Sequence, residues 1–411
     1  MDLEHLFVWS KRKGIDVVAT GDFTHPEWFN ELQQKLEPAE PGLYKLKAEL
    51  EEKLNNQLSA SLQPGKIRFL LSTEISTIYS KDGRVRKLHQ VAIAPSFKSV
   101  TKINTQLEKI GNLTADGRPI LGLDSQELLK IVLEADSDNL YIPAHIWTPW
   151  FAMFGSKSGF DSIEQAFGDL ATEVKAVETG LSSDPAMNWR LSGLDGVTLV
   201  SNSDAHSPRK LGREANLIQA ELDYYQIVGA VKSGDHRFVG TIEFFPQEGK
   251  YHWDGHRKCD LVFSPKQTHQ HQGICPRCSK LLVLGVDHRV DQLADRSADF
   301  KPISHKQVEY IIPLPEIIAE VEGVKGAQTK TVQTKYRAML AKLGSELGIL
   351  REKQPDQIRQ AGFAKTAEAI CRMRAGQVQV KPGYDGVYGQ VRLFSSRQET
   401  KDLAGQTRLF G

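Results

Sequence analysis

The sequence predicts an α/β fold in which a parallel sheet or barrel carries the chemistry, followed by a small metal-binding module and a helical region. Three observations predict it. Over residues 1–249, short β-branched runs ending in polar residues alternate with helical segments, the pattern of parallel strands joined by helices. Residues 250–295 become His/Cys-rich and turn-rich, too short a stretch for a large core of their own. Within the C-terminal region 296–396, the span from Pro313 to Gln377 repeats apolar positions at helical spacing among many Lys, Arg and Gln residues. The last stretch, 397–411, is polar and reads as a flexible tail.

Taken in order, the chain opens in a helix over Leu3–Lys13. The strand runs are Ile15–Asp22, Ile67–Ser76, His89–Pro95, Tyr141–His145, Val174–Gly180 and Val197–His206. Helical stretches between them include Trp28–Leu62, broken near Pro38–Gly42, and Asp161–Phe167. In α/β barrels the chemistry sits at the carboxyl ends of strands. Here those ends carry Asp22, Glu74, His145, Glu178, Asp204 and His206, residue types that bind Zn²⁺, Mn²⁺ or Mg²⁺. The sharpest fragment is Ser201-Asn-Ser-Asp204-Ala-His206-Ser-Pro, which closes an apolar strand and sets a carboxylate and an imidazole two residues apart. Clustered divalent metals hydrolyse phosphate esters, so Asp204, His206 and Glu74 are the expected catalytic residues.

The second module has its own ligand spacing. His256-x₂-Cys259 followed by Cys275-x₂-Cys278 supplies four tetrahedral ligands in two knuckles, the form of one structural zinc site. His252, His269 and His271 compete with His256 for the fourth position. Cys371 stands alone in a helical segment and reads as a small buried apolar residue.

Composition narrows the function classes. The 411 residues are 40% hydrophobic and 25% charged, with mean hydropathy −0.37, and no apolar run is long enough to cross a membrane. The N-terminus keeps charges through its apolar part, unlike a signal peptide, so a cytoplasmic, nucleoid-associated setting is expected. A net charge of +1 argues neither for nor against nucleic acid. A nucleotide-driven motor is excluded by the lack of any Gly-x₄-Gly-Lys-Ser/Thr loop.

Several longer segments carry a resemblance. They are Ala19-Thr-Gly-Asp22-Phe-Thr-His-Pro26, Ser72-Thr-Glu-Ile-Ser76, Pro143-Ala-His-Ile-Trp-Thr-Pro-Trp150, Gly155-Ser-Lys-Ser-Gly-Phe160, Val177-Glu-Thr-Gly-Leu-Ser-Ser-Asp184 and Ser203-Asp-Ala-His206. Together they resemble the endonuclease Q family of the PHP (polymerase and histidinol phosphatase) superfamily. The resemblance implies a distorted (β/α)₇ barrel holding a metal cluster. It also implies cleavage of DNA on the 5′ side of deaminated bases (uracil, hypoxanthine, xanthine) or abasic sites. Glu74, His89, His145, Asp204 and His206 fall on the family's ligand motifs, His89 by resemblance alone. Asp22 stands where many PHP proteins carry a histidine, and Glu178 reads either as a ligand or as a partner of the neighbouring turn. PHP proteins begin with a strand bearing His-X-His, whereas this sequence opens directly in its first helix. The expectation is that Met1 is an internal methionine of a longer product. The alternative is a chain that keeps DNA binding without the metal chemistry.

Two further features point to DNA. Trp147 and Trp150 follow His145 in an aromatic loop and are candidates for a pocket around an extruded base. Lys157, Arg209, Lys210 and Arg213 are candidates for phosphate contacts, with a solvated surface charge as the alternative for each. The tail ends Gln406-Thr-Arg-Leu409-Phe410-Gly, which looks like the peptide that docks on the bacterial sliding clamp. A similar Gln390-Val-Arg-Leu-Phe394 reads instead as a strand of the folded part. A PHP phosphoesterase for small phosphate monoesters is the rival reading, and the zinc module, helical region and tail argue against it.

Overall fold

The computed structural model describes residues 1–115 and 117–395. The expected clamp-binding residues Gln406, Leu409 and Phe410 lie outside them. The strands are β1 (Val17–Ala19), β2 (Leu36–Pro38), β3 (Tyr44–Leu46), β4 (Arg68–Lys81), β5 (Arg84–Ala94), β6 (Ile120–Leu121), β7 (Leu140–Pro143) and β8 (Ala176–Glu178). They continue with β9 (Thr198–Val200), β10 (Ala215–Ile218), β11 (Phe238–Glu243), β12 (Asp254–His256), β13 (Leu261–Phe263), β14 (Gln307–Tyr310), β15 (Gln379–Lys381) and β16 (Gln390–Arg392).

The architecture is mixed α/β. A seven-stranded sheet is built around the β4–β5 hairpin, with β1 and β6 parallel to β4, and β7 antiparallel to β5. Asp82 and Gly83 form its two-residue loop, both at positive φ, the turn that matches the right-handed twist of paired strands. β4 is buried on both faces over most of its length, which is why its sequence is a continuous apolar-and-small run without alternation. β5 alternates buried and half-buried residues, and its even face lines the core.

Beyond β7 the wall continues through the parallel pair β8–β9. Ile146 N–H donates to Glu178 O at 3.1 Å, joining the end of β7 to β8, and Ser201 Oγ donates to Ile242 O at 2.9 Å, joining the end of β9 to β11. β10, β11 and β14 form a third sheet. Among the described residues these ladders do not join into one continuous ring.

Three local differences from the sequence reading have physical causes. The helical stretch around Pro38–Gly42 is two helices separated by the β2–β3 hairpin, whose Leu36, Tyr44 and Leu46 side chains are buried. The β4-to-β5 link is a hairpin rather than a helical crossover, so those strands are antiparallel. His89 therefore lies in the middle of β5, opposite Ser76, and not at the start of a strand.

The C-terminal region is mainly helical over 314–374 and has its own core around Leu314, Ile317, Met339, Ile349 and Ile370. Several contacts tie it to the remainder. β14 adds in parallel to β11. Lys13 Nζ, at the end of the Leu3–Lys13 helix, pairs with Glu346 Oε2 at 2.7 Å, both side chains only 3% exposed. The β15–β16 segment returns to the cysteine module, where Gly383 N–H donates to Gln247 O at 2.8 Å and Trp253 N–H to Gly383 O at 3.0 Å. Tyr384 Oη donates to Asp260 Oδ1 at 2.7 Å. The strand reading of Gln390–Phe394 agrees with β16, and Leu393 and Phe394 are buried. Cys371 is half-buried rather than fully buried.

Glu346 also accepts from Tyr336 Oη at 2.7 Å and Leu314 N–H at 3.1 Å, so its charge is compensated only while Lys13 is present. Lys13→Met is expected to cost about 3 kcal/mol in urea unfolding, and Lys13→Met with Glu346→Gln to recover part of it. Equal losses in the single and double variants would contradict a buried, compensated charge.

Candidate active site

The candidate residues come from strand ends whose backbone is bent into an unusual conformation. Asp22, His145 and Asp204 follow β1, β7 and β9, and have φ of 48°, 31° and 42°. Non-glycine residues rarely adopt positive φ, at a cost of roughly 1–3 kcal/mol each, and they cluster where a side chain must be aimed. Gly180 permits the turn at His145: it has φ +62°, and a Cβ there would sit 2.5 Å from the His145 Cβ. Arg213 pins the Asp204 turn, donating from Nε to Ser203 O at 2.9 Å and from Nη2 to Asp204 O at 3.2 Å. Asn216 braces the same segment through both Ser201 backbone groups and the Asn202 side chain.

These ends open on one cavity of about 1190 Å³, lined by Asp22, Glu74, His145, Glu178, Asp204 and His206 among others. Its tightest group is Glu74, His89 and His145, whose ligand atoms all lie within 4.8 Å of one another. Glu74 Oε1 is 3.0 Å from His89 Nδ1 and 3.5 Å from His145 Nε2. Two imidazoles and a carboxylate form a donor set that fits Zn²⁺, Mn²⁺ or a similar divalent ion. Burial drives the Glu74 carboxyl up, but hydrogen bonds from His145 and His89 and the nearby Arg118 charge outweigh it and hold Glu74 below the usual carboxylate range. His145 is raised because Glu74 overcomes its burial, while burial wins at the less enclosed His89 and lowers it.

The other expected residues surround this group at different depths. Asp22 is raised by burial and by the Glu74 charge. Glu178 is buried, accepts His145 N–H and Asn202 Nδ2 at 2.8 Å each, and is pushed up to about 7 by burial. It lines the cavity and bonds the neighbouring turn through the His145 amide. His206 is largely exposed, with Nδ1 3.0 Å from Asp204 O, and it lies outside the Glu74–His89–His145 group.

The two tryptophans separate. Trp147 is 1% exposed, packs on Phe154 and donates from Nε1 to Asn188 Oδ1 at 2.8 Å, so its ring is part of the core and presents no face to a base. Trp150 is 54% exposed, with Lys87 Nζ 5.7 Å from its ring centre. Next to it Phe151, at φ 58°, lays its ring 4.6 Å from that of His89. Of the expected phosphate contacts, Arg213 is used in holding the Asp204 turn and Arg209 donates to Gln328.

Sequence reasoning missed four residues. Arg118 reaches Glu74 and His89 from the loop before β6, where a Gly-Arg-Pro turn carries no recognisable motif. Phe151 was within the aromatic run and distinguishable only by its backbone. Glu214, which lines the cavity, and Glu243 are buried near Glu178. Burial, then the neighbouring Glu243, drives Glu214 far upward, and both its oxygens are unpartnered. Burial pushes Glu243 up to about 8.

In the second module, His256, Cys259, Cys275 and Cys278 converge within 4.8 Å, a set that fits a closed zinc site. His252 is buried apart from them and lowered to about 4 by that burial. His269 pairs with Asp291, and His271 stacks on Phe263. The buried apolar cluster around these cysteines is small, Phe263, Cys275 and Leu282 with Cys259 and Leu261 against it, as in modules that a metal helps to order.

Comparison with solved structures gives a lesion-specific endonuclease Q from Pyrococcus furiosus, with TM-score 0.81 and 27% identity over 98% of this chain and 94% of that one. The chain has an endonuclease Q-like fold. A second endonuclease Q structure, in complex with a 27-mer duplex carrying an abasic lesion at the active site, matches with TM-score 0.78 and 27% identity over 96% of this chain and 92% of that one. The model of the MJ0043 C-terminal domain family matches residues 313–377, the helical part of this endonuclease Q-like chain. The uncharacterized protein MJ0043 of Methanocaldococcus jannaschii is 32% identical over 285 residues, covering 65% of this chain. The chain spans about a third (34%) of that protein's length. The uncharacterized protein YqxK of Bacillus subtilis is 28% identical over 84% of each chain. No helix among the described residues is long and apolar enough to cross a membrane.

Two measurements test this geometry. Gly180→Ala is expected to push His145 out of line and weaken Mn²⁺ binding by about tenfold or more, because the new methyl has no room. Unchanged binding would mean that the His145 turn is not constrained there. The Glu243 carboxyl stays protonated in the fold up to about 8 but ionises near 4.5 when unfolded. Its contribution to stability is therefore full below about 4.5 and is lost as pH rises toward 8. Glu243→Gln should raise Tm progressively more at pH 8 than at pH 5. A constant difference across that range would rule out the shifted carboxyl.

Proposed function

We propose that this protein is a metal-dependent DNA endonuclease of repair, cutting the phosphodiester on the 5′ side of deaminated bases or abasic sites. The likeness to lesion-specific endonucleases supports a DNA endonuclease of the repair kind. The observation that carries the reading is the convergence of Asp22, Glu74, His145, Glu178 and Asp204 on one cavity within an endonuclease Q-like fold. Asp22, Glu74, His89, His145, Glu178, Asp204 and His206 are the proposed holders of divalent ions. When bound, such ions supply Lewis acidity for the phosphate oxygens and acidify water.

The residues themselves divide the remaining work. Glu74, held ionised, keeps negative charge at the centre. Glu178, buried at the cavity wall, holds the His145 turn by accepting its backbone N–H. Asp204 is held at its strained turn by Arg213. Trp150 and Phe151 offer aromatic faces beside His89 for a base withdrawn from the stack. The cysteine module is proposed to hold one structural zinc, and the tail Gln406–Phe410 to meet the sliding clamp, the latter on sequence alone.

The test uses the full chain on duplexes bearing a single uracil, hypoxanthine or abasic site. Nicking 5′ to the lesion is expected, stopped by EDTA and reduced about a hundredfold or more in Asp204→Ala, with DNA binding largely kept. Nicking that persists in EDTA would overturn the metal mechanism. Binding without any nicking, in any divalent metal, would favour a DNA-binding protein without the chemistry.

A further inference from the structure

The guanidinium of Arg118 lies within the cluster of proposed metal ligands. Its Nη1 is 2.7 Å from Glu74 Oε1 and 3.3 Å from His89 Nε2, and it also contacts His89 Nδ1. Glu74 Oε1 and His89 Nδ1 are two of the three ligand atoms that converge with His145 Nε2. A divalent ion held by Glu74 and the two imidazoles would need the Glu74 Oε1 lone pairs that Nη1 engages, and both groups are cations. An ion and the Arg118 head therefore compete for Glu74.

The arm, by contrast, is fixed at its base. Pro119 O accepts Ser76 N–H at 2.9 Å, and Ile120 pairs with Ser76 where β6 joins β4. Gly117, just before Arg118, has φ +80° and open space around it. The side chain is about a quarter exposed and lines the cavity. Displaced from Glu74, the guanidinium stays within reach of whatever anion sits against the centre. Its planar fork matches a phosphate as well as a carboxylate, which a point-charge ammonium does not.

We infer that Arg118 exchanges partners, from Glu74 and His89 to a phosphate of the nucleic-acid strand, when a divalent ion binds. Metal loading and phosphate binding are thereby coupled, each favouring the other. This rests on the endonuclease reading for the nature of the phosphate, though not for the exchange itself. Arg118 is a phosphate-binding residue in this scheme, and Glu74 is its resting partner.

The experiment uses the full chain, freed of loosely held divalent metal, and needs no cleavage. Free Mn²⁺, an ion that cysteine-rich sites take poorly, is followed by electron paramagnetic resonance during titration. Arg118→Gln, with its competitor removed, is expected to bind Mn²⁺ about three- to tenfold more tightly than wild type. Inorganic phosphate is then titrated calorimetrically against the Mn²⁺-loaded proteins, where Arg118→Gln is expected to bind about tenfold more weakly. Without Mn²⁺, both should bind phosphate equally poorly.

Mn²⁺ affinity that is unchanged or lower in Arg118→Gln would show Arg118 to be a structural support of Glu74 and overturn the exchange. Phosphate affinity unaffected by the substitution would overturn it too. Arg118→Lys covers the case of a Gln variant that does not fold: it should hold Mn²⁺ affinity near wild type while losing most of the phosphate gain. Wild-type phosphate binding in that variant would also sink the proposal. A protein showing both Arg118→Gln shifts yet cutting no lesion-bearing duplex would refute the endonuclease reading and leave the exchange standing.

Discussion

Three strand ends are turned through a region of backbone space that L-residues avoid, and the site depends on that turn. At Asp22, His145 and Asp204 the chain leaves its strand at positive φ, which swings a side chain inward that an extended backbone would have passed alongside. Each bend is unfavourable alone, so each must be held by neighbours. Thr20 N–H and Phe23 N–H donate to Leu70 and Ser72 on β4, bracketing Asp22. Glu178 takes the His145 amide, and Gly180 leaves room for its Cβ. Arg213 grips the carbonyls of Ser203 and Asp204. The sheets therefore act as a jig: their stability is spent on aiming a few side chains into one cavity.

Charge is arranged by depth in the same way. Glu74, near two imidazoles and a guanidinium, is kept ionised, whereas Glu178, Glu214 and Glu243, further inside, are driven toward the protonated form. Carboxyls of one chemical type thus span a wide range of proton affinity across a short distance. Burial alone would push all of them upward; the sign at Glu74 is set by His89, His145 and Arg118.

Much of this was legible in the sequence, for reasons that can be named. Strand-end positions follow from the alternation of β-branched runs and helices, and Asp22, Glu74, His145, Glu178, Asp204 and His206 do line a common cavity. The helix Leu3–Lys13 was read from the sequence, and in the structure Asp2 caps it and Gly14 closes it at positive φ; the helical span 313–377 was readable from its apolar period. His89 was not readable as a strand-end residue because it faces inward from the middle of a long hairpin strand, a placement set by register with β4. Trp147 and Trp150 are indistinguishable in a linear aromatic run; only packing against Phe154 and Asn188 takes Trp147 into the core. Arg118 comes from a loop whose path no local pattern dictates, and β14 joins β11 across the whole cysteine module. Long-range pairing of that sort leaves no trace in nearby residues.

The return of the C-terminal hairpin to the cysteine module bears on how the protein is made. Trp253 and Gln247 wait for Gly383, Asp260 for Tyr384, and the edge of β11 for β14, all of which leave the ribosome after them. Vectorial synthesis cannot close the module by itself, because its backbone partners at Gly383 and Tyr384 lie far downstream of it in the chain. The exposed edge of β11 and the cysteine knuckles must persist on the nascent chain until the helices have been made. Early capture of a metal ion by the His256, Cys259, Cys275 and Cys278 group would order the knuckles before the hairpin arrives, and would shorten the time in which that half-built surface can pair with the wrong strand.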